Sequence, residues 1–289
     1  YFQVADALLR GAVPAQGPGA VNRELALIHA ADDIHVSPLF AYPIDYARFK
    51  PRGFYTKTPT LRSYFRAMAW FGSTAFRLES ERESTAALHI ADAFLQCRPA
   101  REAWFNLNTF YTRLLAKCDD LTPAEYAAIL DRLNPGQDTP ARLAALRKAA
   151  WALRDPAYND LVLDPAKQLD WVKNSKGMRF MGPRHMPDGA VLADVTDPKT
   201  PGRFFPTGLD VLAANGSSRA KEHLADARAK DPAYAAAVDR AADGLRQAKQ
   251  TNPDTHYVQL LEVMATLTAP PIDKAAAFTK TPAYADKNL

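Results

Sequence analysis

The sequence predicts a mainly α-helical protein, with packed antiparallel helical hairpins and long irregular loops that carry the motifs. Apolar residues recur three and four positions apart in segment after segment, which is the spacing of a helix face. The alternating patterns that strands require are nearly missing. Ala190 to Val195 is one weak strand candidate, and it fits a helix equally well.

Most predicted helices begin with a Thr or Asp that precedes or caps the first turn. Thr58 is expected to cap a helix starting at Pro59, because its side chain accepts a first-turn hydrogen bond and proline suits that first position. Thr122 to Glu125 has the spacing of a capping box. The other helices are predicted over residues 21–31 and 85–95, along the apolar stripe from Trp104 to Leu115, and from Thr139, Ser217 or Ser218, Asp231, and Asp254 or Thr255.

Composition predicts a folded protein with no nucleic-acid partner and no membrane-spanning segment. The chain has 289 residues, 47% of them hydrophobic, which is enough for a core. The net charge of +4 is small and dispersed, so no basic patch predicts a nucleic-acid partner. No transmembrane segment is expected, since no apolar run approaches about 20 residues. Without a Gly/Ser-rich or Pro-rich linker, residues 1–289 are predicted to form a single helical domain.

The two cysteines are predicted to be unpaired thiols. Cys97 and Cys118 fall near the C-terminal ends of consecutive predicted helices, so an antiparallel hairpin would separate them by roughly 20 Å. A disulfide requires Cα atoms within about 7 Å. No Cys-x-x-Cys or Cys/His zinc pattern is present, and neither a metal site nor a cofactor is predicted.

The stretch DYARFKPRGFYT, Asp45 to Thr56, concentrates polar and aromatic residues around a turn. Lys50 should be extended because it precedes proline, and Gly53 is free to adopt positive φ. Asp45 is expected to accept hydrogen bonds from Arg48, Arg52 or backbone amides. On the structural interpretation, these residues anchor the loop, with Tyr46, Phe49, Phe54 and Tyr55 contacting the core. On the functional one, Asp45, Tyr46, Arg52 and Tyr55 line a binding groove.

Two later motifs supply the other groove candidates. RFMGPRHMPDG, Arg179 to Gly189, places Arg184 and His185 near an acid, a combination that suits an anionic or sugar ligand but also a simple salt bridge. PTGLDVLAANGSSRA, Pro206 to Ala220, contributes Asp210. Its Gly-Ser-Ser element reads most simply as a helix cap, and it is not a hydrolase nucleophile elbow.

In this order, the three motifs resemble those of a bacterial family known as domain of unknown function 3160. Its pattern is similar to Asp-Tyr-Ser-Gln-Phe-x-Pro-Arg-Gly-His-Tyr-Thr, then an aromatic helix like RSYFRAMAWFG, Phe-Met-Gly and Pro-x-Gly-Leu-Asp-Val. The resemblance implies that this chain is an internal segment of a longer exported, periplasmic or cell-surface protein. Phe54 replaces the family histidine, which removes the best acid–base candidate of the first motif.

The sequence favours a binding or assembly role over catalysis, and it identifies no catalytic residues. The expected partners are the remaining segments of the same protein or another envelope component. The alternative is a hydrolase or lyase acting on a glycan or peptide in a groove between helices. It would use Asp45 and Asp210 as its carboxylates, while Arg52 and Arg184 orient the substrate. Two such carboxylates need different environments to serve as acid and base.

Overall fold

A computed structural model describes residues 1–12, 19–133, 138–157, 159, 161–163, 166, 168, 170–270 and 275–289. This part of the chain is mainly α-helical with small two-stranded sheets, as predicted. It forms two compact units. The first unit is Tyr1–Asn106 with Cys118–Pro183, and the second unit is Leu107–Lys117 with Arg184–Leu289. The single domain over residues 1–289 stays a prediction.

In the first unit, the helices with the most contacts are not consecutive along the chain. Helix α1 contacts α3, and α4 contacts α6, with α7 lying against both α4 and α6. Helix α5 begins in the first unit and its last residues belong to the second. The helices are α1 (Phe2–Leu9), α2 (Ala20–Ala30), α3 (Pro59–Ser73), α4 (Glu81–Gln96), α5 (Arg98–Leu114), α6 (Pro123–Leu130), α7 (Thr139–Trp151) and α8 (Trp171–Ser175).

Two short antiparallel sheets connect these helices. Strand β1 (Ile34–Val36) pairs with β2 (Pro43–Asp45), and β3 (Phe76–Arg77) pairs with β4 (Gly177–Met178). Gly177 is required in the second sheet, because a Cβ atom there would lie 2.2 Å from the backbone oxygen of Phe76. This close backbone approach brings residues a hundred positions apart into one core.

The predicted caps of the first unit are largely confirmed. The Thr58 side chain accepts a hydrogen bond from Leu61 N–H, and Pro59 is the first helical residue. Thr122 and Glu125 form the capping box. One cap was wrong: Asp138, not Thr139, caps α7 by accepting from Ala141 N–H. The Asp138 carboxylate provides the acceptor one residue before Thr139, which is itself the first helical residue.

An aromatic cluster fills the core of the first unit. Trp70 is fully buried, and its ring centroid lies 5.8 Å from that of Phe40 and 5.5 Å from that of Tyr1. The Phe40–Trp70 pair is edge-to-face, an arrangement that is favourable beyond the area it buries. Cys97 and Cys118 form no disulfide; Cys97 is exposed at the end of α4.

The second unit contains helices where the sequence predicted irregular chain. Residues 155–216, which carry the second and third motifs, contain the short helices α8 of the first unit and α9 and α10 of the second, with irregular stretches between them; residues 158, 160, 164, 165, 167 and 169 lie outside the described residues. Ala190 to Asp194 is helical and Val195 is the C-cap of that helix, so of the two structures that the sequence allowed here the helix is formed. The helices are α9 (Pro187–Asp194), α10 (Gly208–Ala214), α11 (Ser218–His223), α12 (Ala225–Lys230), α13 (Pro232–Thr251), α14 (His256–Leu267) and α15 (Pro282–Asn288).

Helix α13 is the centre of the second unit. Its buried face, which includes Tyr234, Val238 and Leu245, packs against α9 and α10. The predicted Asp231 cap is confirmed, since its carboxylate accepts from the N–H groups of Ala233 and Tyr234. One helix was predicted from the Ser217 cap to residue 229, but the chain breaks at Leu224 into α11 and α12.

Candidate functional site

The first motif lies in the first unit, and Asp45 organises its start. This residue ends β2, and its Oδ1 accepts a hydrogen bond from Ala47 N–H at 3.1 Å. Its Oδ2 lies 3.4 Å from Nε of Arg48. The carboxylate therefore caps the 3₁₀ helix Tyr46–Phe49 and forms an ion pair, two of the contacts that the sequence predicted.

Tyr46 anchors the motif through a buried carboxylate that the sequence analysis missed. Its hydroxyl donates to Glu24 of α2, and the same carboxylate accepts from the Ser37 hydroxyl at 2.6 Å. Leu39 N–H donates to it as well, at 3.2 Å. Burial raises the pKa of Glu24, although the hydrogen bonds from Ser37, Tyr46 and Leu39 oppose the rise. The detectable signal was an acid on the same helix face as Leu25 and Ile28, which are buried.

Arg52 and Tyr55 stand at the exposed end of the motif. Gly53 has φ +56°, as predicted, and lets the chain turn into the 3₁₀ helix Gly53–Thr56. The Tyr55 ring lies 5.2 Å from that of Phe65, centroid to centroid, yet the residue is 36% exposed. Within the described residues the Arg52 side chain has no hydrogen bond or ion pair, so the expected Asp45–Arg52 contact is not formed.

The core anchors of the first motif are therefore fewer than the sequence predicted. Tyr46 and Phe49 are fully buried, and their rings stack with centroids 5.6 Å apart. Phe54 is 61% exposed instead, and the ammonium group of Lys57 lies 4.6 Å from the centre of its ring. The turn at Gly53 directs the second pair of aromatics away from the core that holds the first.

Arg179 and Arg184 belong to different units and serve different contacts. Arg179, which is buried in the first unit, donates from Nη1 to Gly72 O at 2.5 Å, and its Nε lies 3.3 Å from Asp120 Oδ2. In the second unit, Arg184 donates from Nη2 to Asn108 Oδ1 at 2.8 Å and from Nη1 to Thr112 Oγ1 at 3.1 Å. Each of these contacts therefore joins residues of the same unit.

His185 and Asp188 follow Arg184 at the start of α9. His185 is half-buried, and Asp188 lies in the first helical turn. Burial raises the pKa of Tyr257, and the nearby Asp188 carboxylate adds to the rise. The described residues contain no group of three or more His, Cys, Asp or Glu side chains arranged to hold a metal ion.

Asp210 is the most thoroughly bonded carboxylate of the three motifs. It is fully buried, and it forms a capping box with Thr207 at the start of α10. Its oxygens accept from the Thr207 N–H at 2.6 Å and from Arg203 Nη2 at 2.9 and 3.0 Å. The Tyr234 hydroxyl donates to Oδ1 at 2.5 Å.

The electrostatics of Asp210 favour a permanent negative charge. Burial by itself raises the pKa of this carboxyl, but the hydrogen bonds from Tyr234, Thr207 and Arg203 outweigh burial and bring the pKa below its ordinary value. The Arg203 guanidinium also lies 4.3 Å from the centre of the Tyr234 ring. The sequence indicated Asp210 as a candidate, but it gave no signal for Arg203 or for the Tyr234 hydroxyl as its partners.

The seven candidate groove residues divide between the units. Asp45, Tyr46, Arg52 and Tyr55 lie in the first, whereas Arg184, His185 and Asp210 lie in the second. The two carboxylates among these candidates each pair with an arginine close to them in sequence: Asp45 with Arg48, and Asp210 with Arg203. Their convergence on one groove stays a prediction.

Comparison with known proteins identifies a family but no activity. Searches of curated proteins and of solved structures found no similar protein. None of the described helices is both long and apolar enough to cross a membrane. The family model described as "Protein of unknown function (DUF3160)" matches residues 1–289, the whole of the chain. The chain therefore belongs to the DUF3160 family.

Proposed function

We propose that this chain is a non-catalytic helical domain with a binding or assembly role in an exported bacterial protein, in the periplasm or at the cell surface. Its partners are the remaining segments of the same protein or another envelope component. The observation that carries the proposal is the internal pairing of the motif carboxylates with Arg48 and Arg203. The motif residues stabilise the fold, and the partner binds to the surface that they hold in place.

The pairing of Asp210 disfavours the hydrolase or lyase alternative. A carboxyl that serves as general acid must be protonated near the working pH, which requires a raised pKa. Asp210 has the opposite shift, and its side chain is inaccessible to solvent. Asp45 is partly accessible, but its oxygens already accept from Ala47 N–H and contact Arg48. Two carboxylates with these partners do not supply an acid–base pair.

The surface held by Asp210 is a loop of the second unit, residues 195–207, which we call the Phe204–Phe205 loop. Arg203 donates from Nη1 to Val195 O at 2.9 Å, and Asp197 N–H donates to Arg203 O at 2.8 Å. Thr200, which is fully buried, donates from its hydroxyl to Asp194 O at 2.8 Å. Both ends and the middle of the loop are thus bonded to the unit.

Two adjacent phenylalanines project from this bonded loop into solvent. Phe204 is 67% exposed and Phe205 is 86% exposed. Single exposed apolar residues are ordinary, but neighbouring aromatic rings on an ordered loop resemble the anchors that dominate protein interfaces. Ordering the loop beforehand reduces the conformational entropy lost on binding. The partner suited to this surface is a protein segment with an apolar pocket for the two rings.

A photo-crosslinking amino acid at position 205 of the full-length protein tests this proposal in envelope preparations. We expect a discrete adduct with another segment of the protein or with one envelope component. Position 246, an exposed arginine of the same unit, is the matched control and should give none. Absence of an adduct at 205, or equal adducts at both positions, contradicts the binding role. Turnover of envelope glycans or peptides that is lost in an Asp210→Asn variant shown by circular dichroism to remain folded, but is kept in Tyr234→Phe, would support the hydrolase or lyase instead.

A further inference from the structure

Basic residues of the first unit are concentrated in and after the first motif. Residues 46–78 contain seven Lys or Arg residues and neither Asp nor Glu, although the whole chain has a net charge of only +4. Within this run, residues 52–60 are all exposed, and they include the aromatic residues Phe54 and Tyr55. We call residues 50–57 the Phe54 loop. It combines exposed cations with exposed rings on one short segment.

The cations of the Phe54 loop have no acidic partner. Among the described residues, the side chains of Lys50, Arg52 and Lys57 form no ion pair with a carboxylate, and all three residues are exposed. The ammonium group of Lys57 lies 4.6 Å from the centre of the Phe54 ring. Long basic side chains without a fixed partner can reach anions at varying positions while their stems cover apolar surface. The loop therefore presents positive charge around an exposed phenyl ring.

Helix α3 holds this loop in place. Arg62 of α3 donates from Nη1 to the backbone oxygen of Thr56 at 2.7 Å. The Tyr55 ring lies 5.2 Å from the ring of Phe65, also on α3, centroid to centroid. Phe54 has no such packing on the core and is 61% exposed. Since the backbone is already fixed, the exposed ring loses little conformational entropy when it is bound.

The surroundings of Phe54 favour insertion into an apolar layer over stacking on a planar ligand. A nucleobase stacks on an open aromatic face. The Lys57 ammonium lies over one face of the Phe54 ring, and the Tyr55 ring meets Phe54 at 80° with centroids 6.4 Å apart. The accessible part of Phe54 is apolar and has no hydrogen-bonding group. An anionic bilayer offers phosphates to the cations and, directly beneath them, an apolar layer to the ring.

We propose that the Phe54 loop binds the surface of an anionic lipid bilayer. Phe54 enters the boundary between headgroups and acyl chains, while Lys50, Arg52 and Lys57 contact lipid phosphates. Each basic residue near an anionic membrane adds electrostatic attraction, and the ring adds the burial of its apolar surface. The contact is peripheral and requires no membrane-spanning helix. This surface belongs to the first unit, so it is independent of the Phe204–Phe205 loop and of the partner proposed for that loop.

Co-sedimentation with lipid vesicles tests the proposal. We expect binding to vesicles of phosphatidylglycerol mixed with phosphatidylcholine, none to phosphatidylcholine alone, and a loss of binding as salt concentration rises. Lys57→Gln should weaken binding about fivefold, and Phe54→Ser about tenfold. Lys148→Gln, which removes an exposed cation from α7 of the same unit, is the matched control and should bind as wild type does. Absence of binding, or equal binding by wild type, Lys57→Gln and Phe54→Ser, overturns the proposal.

Further arms distinguish a bilayer from other anions. Soluble glycerol phosphate, at the phosphate concentration of the vesicles, should not displace the protein, because it has no acyl layer; displacement would overturn a bilayer site. Heparin that binds wild type and Phe54→Ser equally, and more tightly than the vesicles bind, would assign the loop to a soluble polyanion instead.

A tryptophan at position 54 reports insertion directly. Phe54→Trp should keep vesicle binding, and its added fluorescence should shift to shorter wavelength with phosphatidylglycerol vesicles, because the indole enters a less polar layer. Fluorescence that is unchanged on binding contradicts insertion. All of these variants should melt at the temperature of wild type, since the side chains of Phe54 and Lys57 are exposed. The thermal melts thus separate lost binding from lost folding.

Discussion

The Tyr234 hydroxyl lies 2.5 Å from Oδ1 of the buried Asp210 carboxylate, which also accepts both hydrogen bonds of Arg203 Nη2. One side chain on α10 therefore connects the central helix α13 to the Phe204–Phe205 loop. The carboxylate is desolvated, and its stability depends on keeping all of its donors. This relationship makes Asp210 the residue on which the architecture of the second unit depends most.

We expect Asp210→Asn to destabilise the protein by about 3–5 kcal/mol, because it leaves the Arg203 charge without its partner. Tyr234→Phe should cost less, about 1–3 kcal/mol, since one donor is lost while the ion pair remains. Urea unfolding followed by circular dichroism measures both. Asp243→Asn, at an exposed pair with Arg246, is the control and should have no measurable effect. An equally small effect at Asp210 would contradict its structural role.

The lowered pKa of Asp210 predicts a specific loss of stability in acid. Its folded pKa lies below the unfolded value of about 4, so its contribution is present above that pH. The contribution is lost as pH falls through the folded pKa, because the unfolded chain takes up the proton first. The difference in unfolding free energy between wild type and Asp210→Asn should therefore shrink as pH falls below about 4. A difference that stays constant in acid would exclude this coupling.

Glu24 predicts the opposite dependence, because burial raises its pKa. The folded state holds this proton at pH values where the unfolded chain has released it, so stability falls as pH rises from about 4 through the raised pKa. Glu24→Gln carries no such proton and should lack this part of the fall. Unfolding free energies measured between pH 4 and 7 test it, with the exposed Glu81→Gln as control. Parallel curves for wild type and Glu24→Gln would refute the assignment.

The close backbone approach at Gly177 predicts a strong effect from a single methyl group. Gly177→Ala places Cβ 2.2 Å from Phe76 O and should cost about 1–3 kcal/mol or more, since the two strands must separate. Gly189 in α9 is the matched control, because an added Cβ there meets nothing within 4 Å. Gly189→Ala should stabilise by about 0.5–1 kcal/mol through helix propensity. Similar effects at the two glycines would mean that the β3–β4 pairing is not formed.

In the first motif, stability should depend on Tyr46 rather than Arg52. Tyr46→Phe leaves the buried Glu24 carboxylate without one donor and should cost about 1–3 kcal/mol. Arg52→Ala removes an exposed side chain with no hydrogen bond among the described residues, so its melting temperature should match wild type. Thermal unfolding of the two variants under identical conditions decides the ranking. A larger loss of melting temperature in Arg52→Ala than in Tyr46→Phe would contradict this ranking. It would support the loop-anchoring role that the structural interpretation of the sequence gave to Arg52.

Local features were predictable because their causes lie within a few residues. The Thr58 cap, the Thr122–Glu125 capping box and the positive φ of Gly53 follow from neighbouring side chains and backbone sterics. The same rule fails at α7, where two adjacent capping residues compete and Asp138 is used. Local preference indicates where a helix starts, but not always which acceptor is chosen.

Partners distant in sequence were not predictable from single motifs. Glu24 is 22 residues from Tyr46, and Tyr234 is 24 residues from Asp210. An acid on an apolar helix face and a tyrosine on a buried stripe signal that a partner exists, without identifying it. Because the tertiary donor to Asp210 is not visible in its motif, the sequence left open an interpretation of this residue as a catalytic acid.

The most direct test of the binding role compares unfolding and crosslinking for the double variant Phe204→Ser/Phe205→Ser. We expect its urea unfolding midpoint to match wild type, because both rings are exposed, and the adduct formed from a crosslinker at neighbouring position 206 to disappear. An adduct that persists with full yield in the folded double variant would contradict the claim that these two rings hold a partner.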